Sequence, residues 1–120
     1  MSKTEKPLST ATVTPSRHTL EKVYTLIKSR KQGDSQRSYT ARLLESGRPR
    51  ISKKLGEEAV EVVVAALAED KRALVAESGD LLYHLLVLWL DAGIKPEQVW
   101  TELERRLDVS GIDEKNSRLG

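Results

Sequence analysis

From Ala73 to Leu90 the chain is nearly all apolar, and its only ionisable side chains there, tyrosine aside, are Glu77, Asp80 and His84. Leu81, Leu82, Leu85, Leu86, Leu88, Trp89 and Leu90 cover most of the circumference of the helix that this spacing predicts, so that helix is expected to be buried nearly all round. At about 100° per residue, Asp80 and His84 fall roughly 60° and 20° to the same side of Glu77. One edge of an otherwise apolar helix therefore carries all of its charge. Charges in such a place cost on the order of several kcal/mol each unless they are paired or hold a metal.

A second acidic pair stands upstream, in Lys53-Lys54-Leu55-Gly56-Glu57-Glu58-Ala59-Val60-Glu61. Glu58/Glu61 and Glu77/Asp80 are both i, i+3 pairs, and residues three apart share a helix face. Between the two runs, Glu69-Asp70 is a tight break with Asp70 as a helix N-cap, which predicts an αα-hairpin with its acidic pairs facing each other. Four carboxylates at close range raise one another's pKa unless a cation sits among them. Mg²⁺ suits such a site, because it prefers oxygen ligands and keeps water while binding substrate phosphates. The pattern points to phosphate chemistry.

The rest of the chain reads as helices and punctuation. Residues 1–17 lack large apolar side chains and are expected to be a disordered tail. A first helix is predicted from Thr19 to Arg30 on Leu20, Val23, Tyr24 and Ile27, followed by a polar loop over 31–37. A short helix opens at Ser38 or Tyr39, runs through Leu43 and Leu44, and stops at Ser46-Gly47. Pro49 suits the first turn of the next helix, which continues to Ala68 with Leu55, Ala59, Val62, Val63 and Ala66 as its apolar stripe. Gly93 ends the long apolar helix and Lys95-Pro96-Glu97 starts a last one carrying Val99, Trp100, Leu103 and Leu107. Trp89 and Trp100 are read as core or dimer contacts. Residues 108–120 are expected to be an irregular tail. No strand pattern or repeat is evident, so the class is all-α, a bundle of about five helices over 18–107.

Val60 and Val64 fall outside the apolar stripe, beyond the acidic edge. A helix with apolar surface on both flanks of that edge needs two packing partners, which predicts a core completed in a two-fold homodimer. Gly56 and Gly79 project away from the neighbouring carboxylates, and close backbone packing behind the acidic walls is expected of them.

A chain of 120 residues is one domain on length. A formal charge of +2 with 32% charged residues is a mixed surface, without the concentrated basic face that nucleic acid demands. The absence of cysteine excludes a disulfide scaffold and thiolate metal sites, and fits a reducing cytoplasm. The first residues have no apolar signal region. The run from Leu81 to Leu90 is short for a bilayer, so no membrane role is expected.

At this point the residues meet a known family. The Lys53–Glu61 run, taken with Glu77-Ser78-Gly79-Asp80-Leu81-Leu82-Tyr83-His84-Leu85-Leu86, resembles the phosphoribosyl-ATP pyrophosphatases of histidine biosynthesis. The segments Ser38-Tyr39-Thr40-Ala41-Arg42-Leu43-Leu44, Glu104-Arg105-Arg106 and Val109-Ser110-Gly111-Ile112-Asp113-Glu114-Lys115 are similar to the same family. The acidic motifs alone would indicate only the broader MazG-like all-α nucleotide pyrophosphatases. The resemblance implies a typically dimeric, Mg²⁺-dependent enzyme. It would cleave the α–β phosphoanhydride of phosphoribosyl-ATP to phosphoribosyl-AMP and pyrophosphate, the second step of histidine biosynthesis. A phosphoribosyl-AMP cyclohydrolase, which is fused to some relatives, is an implied partner.

Carried onto this chain, the family motif makes Glu58, Glu61, Glu77 and Asp80 the metal ligands. Glu57, turned by about 100° from Glu58, is a further ligand, a general base or a solvated carboxylate. Lys54 is a phosphate contact or an ion-pair partner of Glu58. Arg48, Arg50 and Lys53 form a basic cluster near a helix N-terminus, where phosphates bind readily, and Thr40 and Arg42 are substrate candidates from the family segment. His84 either bonds a ligand carboxylate, reaches substrate or is a satisfied core residue. Lys115 and Arg118 are candidates to close over the substrate. The rival readings are a MazG-like pyrophosphatase for another nucleotide, and a non-catalytic helical dimer that binds through Arg48–Lys54.

Overall fold

Local chemistry sets the helix boundaries. In the computed structural model, which describes residues 18–34, 36 and 38–108, the elements are α1 (Thr19–Arg30), α2 (Tyr39–Ser46), α3 (Arg48–Ala68), α4 (Lys71–Asp91) and α5 (Pro96–Leu107). The Ser38 hydroxyl caps α2 by accepting from the Ala41 N–H at 3.1 Å. The Asp70 carboxylate caps α4 by accepting from the Ala73 N–H at 2.9 Å, a contact of about 1 kcal/mol. Gly47 at φ 95° separates α2 from α3, where Pro49 occupies the first turn. Gly93 at φ 75° turns the chain out of α4, and Pro96 starts α5. Both glycines sit in the left-handed region that side chains disfavour. The tails expected over 1–17 and 109–120, with Lys115 and Arg118, lie outside the described residues.

The two-residue link at Glu69-Asp70 forces α3 and α4 into an antiparallel hairpin, the most extensive packing in the chain. α1 packs along α4, α2 bridges α3 and α4, and α5 rests on α1. Ile27, Leu43, Ile51, Leu86 and Val87 form the buried core, with Tyr24, Tyr83, Trp89 and Leu90 among the residues packed on it. The core thus lies where the start of α3 meets the end of α4. Arg48 tethers that end, donating to the Asp91 carboxylate at 2.8 Å and to its carbonyl at 3.1 Å. Trp89 and Trp100 meet edge to face at 5.9 Å, Trp100 donates its indole N–H to Glu21, and the Tyr24 hydroxyl donates to the Ile94 carbonyl.

Three expectations need correction. The inward ridge of α3 is buried Ile51, Glu58 and Ala65 with half-buried Leu55 and Val62, whereas Val63 is 55% exposed and Ala66 is exposed too. Phasing on apolar residues alone misses this, because a carboxylate occupies the middle of the ridge. α4 is not buried all round: Val75 is 72% and Leu82 42% exposed, because α1, α2 and α3 leave its outer side uncovered. Gly56 and Gly79 make no close backbone approach within the chain, since a Cβ built on either would meet nothing within 4 Å. They share helix faces with Val60, Val63 and Leu67, and with Val75 and Leu82, on the outward side of the hairpin. α4 as a whole is long and apolar enough to cross a membrane by length and composition, as the core helix of a compact bundle also can be. In this fold that apolarity is used against α1 and α3, with Glu77 and Asp80 along one edge.

Candidate metal centre and adjoining cavity

The hairpin brings the acidic positions together. Carboxylate oxygens of Glu58, Glu77 and Asp80 all lie within 4.8 Å of one another. Glu58, in the buried ridge of α3, is only 5% exposed, Glu77 is half-buried and Asp80 is at the exposed rim. One oxygen of Glu77 is buried without a hydrogen-bond partner. Burial pushes the Glu77 carboxyl above its ordinary range, and the neighbouring Glu61, Asp80 and Glu58 push it further the same way. Glu61 is therefore beside Glu77, although its oxygens fall outside the three-residue cluster. A hard divalent cation fits this set: all donors are carboxylate oxygens, one is orphaned, and the mutual repulsion is what such an ion would relieve.

On one side the cluster borders a basic cavity. Lys54 Nζ is 3.4 Å from Glu58 and 4.0 Å from Glu57, and the hydrogen bond with Glu58 holds its ammonium above the usual lysine range. Beyond it opens a cavity of about 470 Å³, lined by Tyr39 and Arg42 of α2 and by Arg50, Lys53, Lys54 and Glu57 of α3. Among the described residues, Arg42, Arg50 and Lys53 form no ion pair.

Tyr39 connects this wall to the acidic helix. Its hydroxyl is 2.8 Å from Nε2 of buried His84, whose Nδ1 is 2.7 Å from the Asp80 carbonyl. A carbonyl only accepts, so Nδ1 carries the proton and, in the neutral ring, Nε2 accepts from the Tyr39 O–H. The rings of Tyr39 and Tyr83 both meet His84 edge-on at 5.8 Å. Burial raises the Tyr39 phenol pKa, while the nearby Lys54 charge acts in the opposite direction.

The fold thus gathers Glu58, Glu77 and Asp80, with Glu61 alongside, and sets Arg42, Arg50, Lys53, Lys54 and Glu57 around the neighbouring cavity. Arg48 is absent from that cavity, because Asp91 engages its side chain. Thr40 is buried with its hydroxyl bonded to that of Tyr83. His84 bonds the backbone of Asp80 rather than a carboxylate. Tyr39 as a cavity wall is not foreseen from the sequence pattern, where its one signal is its place in the Ser38-Tyr39-Thr40 segment.

Comparison with known proteins bears on this arrangement. Residues 20–107 match the family described as phosphoribosyl-ATP pyrophosphohydrolase. A protein of Paramagnetospirillum magneticum named phosphoribosyl-ATP pyrophosphatase is 62% identical over 99 residues, covering 82% of this chain and 91% of that protein. Proteins of the same name from Azospirillum brasilense and Rhodospirillum rubrum are 50% identical over 99 residues and 51% identical over 104. Those matches cover 82% and 87% of this chain and 89% of each of those proteins.

Proposed function

The chain belongs to the phosphoribosyl-ATP pyrophosphohydrolase family, and from that premise we propose that it hydrolyses the α–β phosphoanhydride of phosphoribosyl-ATP. The products are phosphoribosyl-AMP and pyrophosphate, in the second step of histidine biosynthesis. The observation that carries this reading is the trio Glu58, Glu77 and Asp80, whose oxygens lie within 4.8 Å of one another beside a cation-lined cavity. Glu58, Glu77 and Asp80, with Glu61 adjacent, would hold Mg²⁺. When bound, the ion supplies neutralisation of phosphate charge and activation of water.

The chain's own groups do the positioning. Lys54, fixed by Glu58 and Glu57, presents a cation at the boundary between the acidic cluster and the cavity. Glu57 is engaged in orienting Lys54 from the cavity rim. His84 holds the wall formed by Tyr39 against α4. The working form is a homodimer, a reading supported by the outward stripe of Val60, Val63, Val64 and Leu67, all exposed in the single chain. Its compartment is the cytoplasm, and a cyclohydrolase acting on phosphoribosyl-AMP is its functional partner.

The test is pyrophosphate release from phosphoribosyl-ATP with Mg²⁺, run beside ATP, a chelator and an Asp80→Asn variant. Metal-dependent release from phosphoribosyl-ATP, with little from ATP and loss in the variant, is the expected result. Preferential release from ordinary nucleoside triphosphates would move the chain to another substrate, and no release at all would overturn the enzymatic reading.

A further inference from the structure

We propose that the cavity between α2 and α3 seats the second phosphate of the substrate, the 5-phosphate of the ribosyl group carried on the adenine ring, through Arg42, Arg50 and Lys53. This rests on the proposed reaction and names the group that distinguishes its substrate from ATP.

Unbalanced charge locates the subsite. The substrate has two separate anionic ends, a triphosphate and a phosphomonoester. A carboxylate cluster repels both unless a cation intervenes, and an ion held by Glu58, Glu77 and Asp80 would serve the triphosphate. The other end needs cations supplied by the protein. Arg42, Arg50 and Lys53 surround a cavity of about 470 Å³ and have no ion-pair partner among the described residues. Three like charges around one hollow repel one another until a dianion enters it. Guanidinium groups suit the planar, two-point contact that phosphate oxygens offer. The hollow is larger than a phosphate alone requires and has the size of pockets that hold a sugar-sized ligand.

Neighbouring cations are already committed, which locates the subsite. Lys54 is tied to Glu58 and Glu57, so it marks the edge shared with the acidic cluster. Arg48 is tied to Asp91 and lies outside the cavity. The Tyr39 hydroxyl is engaged by buried His84, which leaves the ring as a fixed apolar wall for the ribosyl carbons. A site whose cations remain unpaired when the phosphate is missing discriminates against ATP, because the analogue forfeits those charge-assisted contacts.

Protein-observed NMR titration of the full chain with ribose 5-phosphate, and separately with pyrophosphate and Mg²⁺, reads the two ends without requiring turnover. The same spectra report whether variants fold. Arg50→Ala and Arg42→Ala are each expected to weaken ribose 5-phosphate about tenfold or more. Pyrophosphate should lose less affinity than ribose 5-phosphate does, and Arg50→Lys should recover part of the loss. A greater or equal loss for pyrophosphate would assign the cavity to the leaving group. Unchanged affinities, or no ribose 5-phosphate binding by the wild type, would make these merely solvated cations. Turnover of phosphoribosyl-ATP by the same wild-type sample separates the two proposals. Turnover without ribose 5-phosphate binding removes the subsite alone, whereas binding without turnover removes the reaction alone.

Discussion

The two faces of the α3–α4 hairpin break the ordinary partition of side chains in opposite directions. On the inner face, Glu58 is buried, an oxygen of Glu77 has no partner, and Asp80 completes a concentration of negative charge. On the outer face, Val60, Val63, Val64 and Leu67 of α3 and Val75 and Leu82 of α4 stand exposed around two glycines where an added Cβ would meet open space. On the inner face only Lys54, paired with Glu58, offsets the carboxylates, and the outer face lacks apolar cover. Each deficit oppresses the stability of the isolated chain, and each specifies what would relieve it: a hard cation inside, a self-complementary apolar surface outside. Departures from good folding practice thus mark where a cation and a partner surface would act, which the well-packed core does not.

The comparison is broken most decisively at Glu58. Glu58→Gln is expected to reduce Mg²⁺-dependent pyrophosphate release by about 10²- to 10³-fold, the scale for removing one electrostatic element of a preorganised site. Activity within about tenfold of wild type would mean that the inner face is structural, with the catalytic site elsewhere. The outer face is tested by Val64→Asp, read by sedimentation equilibrium. A dimeric wild type whose dissociation constant rises about a hundredfold or more would match a charge placed twice in a two-fold apolar interface. A monomeric wild type would deny that the two faces share a logic.

The smallest effect sharpens the cost of the inner face. Glu77 has its folded pKa raised above the unfolded one, first by burial and then by its acidic neighbours. Its stabilising contribution is therefore fully present below the unfolded carboxylate pKa and is lost as pH rises through the folded one. In chelator, Glu77→Gln should melt above wild type at neutral pH, with the difference shrinking on acidification toward the carboxylate range. A difference that stayed constant with pH would detach the effect from this titration. Excess Mg²⁺ should narrow the gap at neutral pH by stabilising wild type alone.

The helices were legible because their ends are written locally. Ser38 and Asp70 cap, Pro49 and Pro96 start, and Gly47 and Gly93 stop, all by chemistry confined to a few neighbouring residues. The acidic pairs were legible for the same reason, since i, i+3 spacing fixes a shared face before any tertiary contact exists. What the pattern could not reveal depends on how helices cross. The cavity combines Tyr39 and Arg42 of one helix with Arg50 and Lys53 of the next, and the capture of Arg48 by Asp91 joins residues far apart in sequence. Glu58 misleads in a different way: with a carboxylate in the buried ridge, a stripe drawn on apolar residues keeps Leu55 and Val62 but drifts to exposed Val63 and Ala66.

The chain of contacts from Tyr39 through the His84 imidazole to the Asp80 backbone gives the molecule a ruler. One end marks the cavity wall on α2 and the other the acidic edge of α4, so the separation between these two landmarks is set by a rigid ring rather than by a flexible loop. If the cavity and the acidic edge take the two anionic ends as proposed, molecules would be sorted by length as well as by charge. A compound with the right groups on too short or too long a spacer would satisfy one landmark and miss the other.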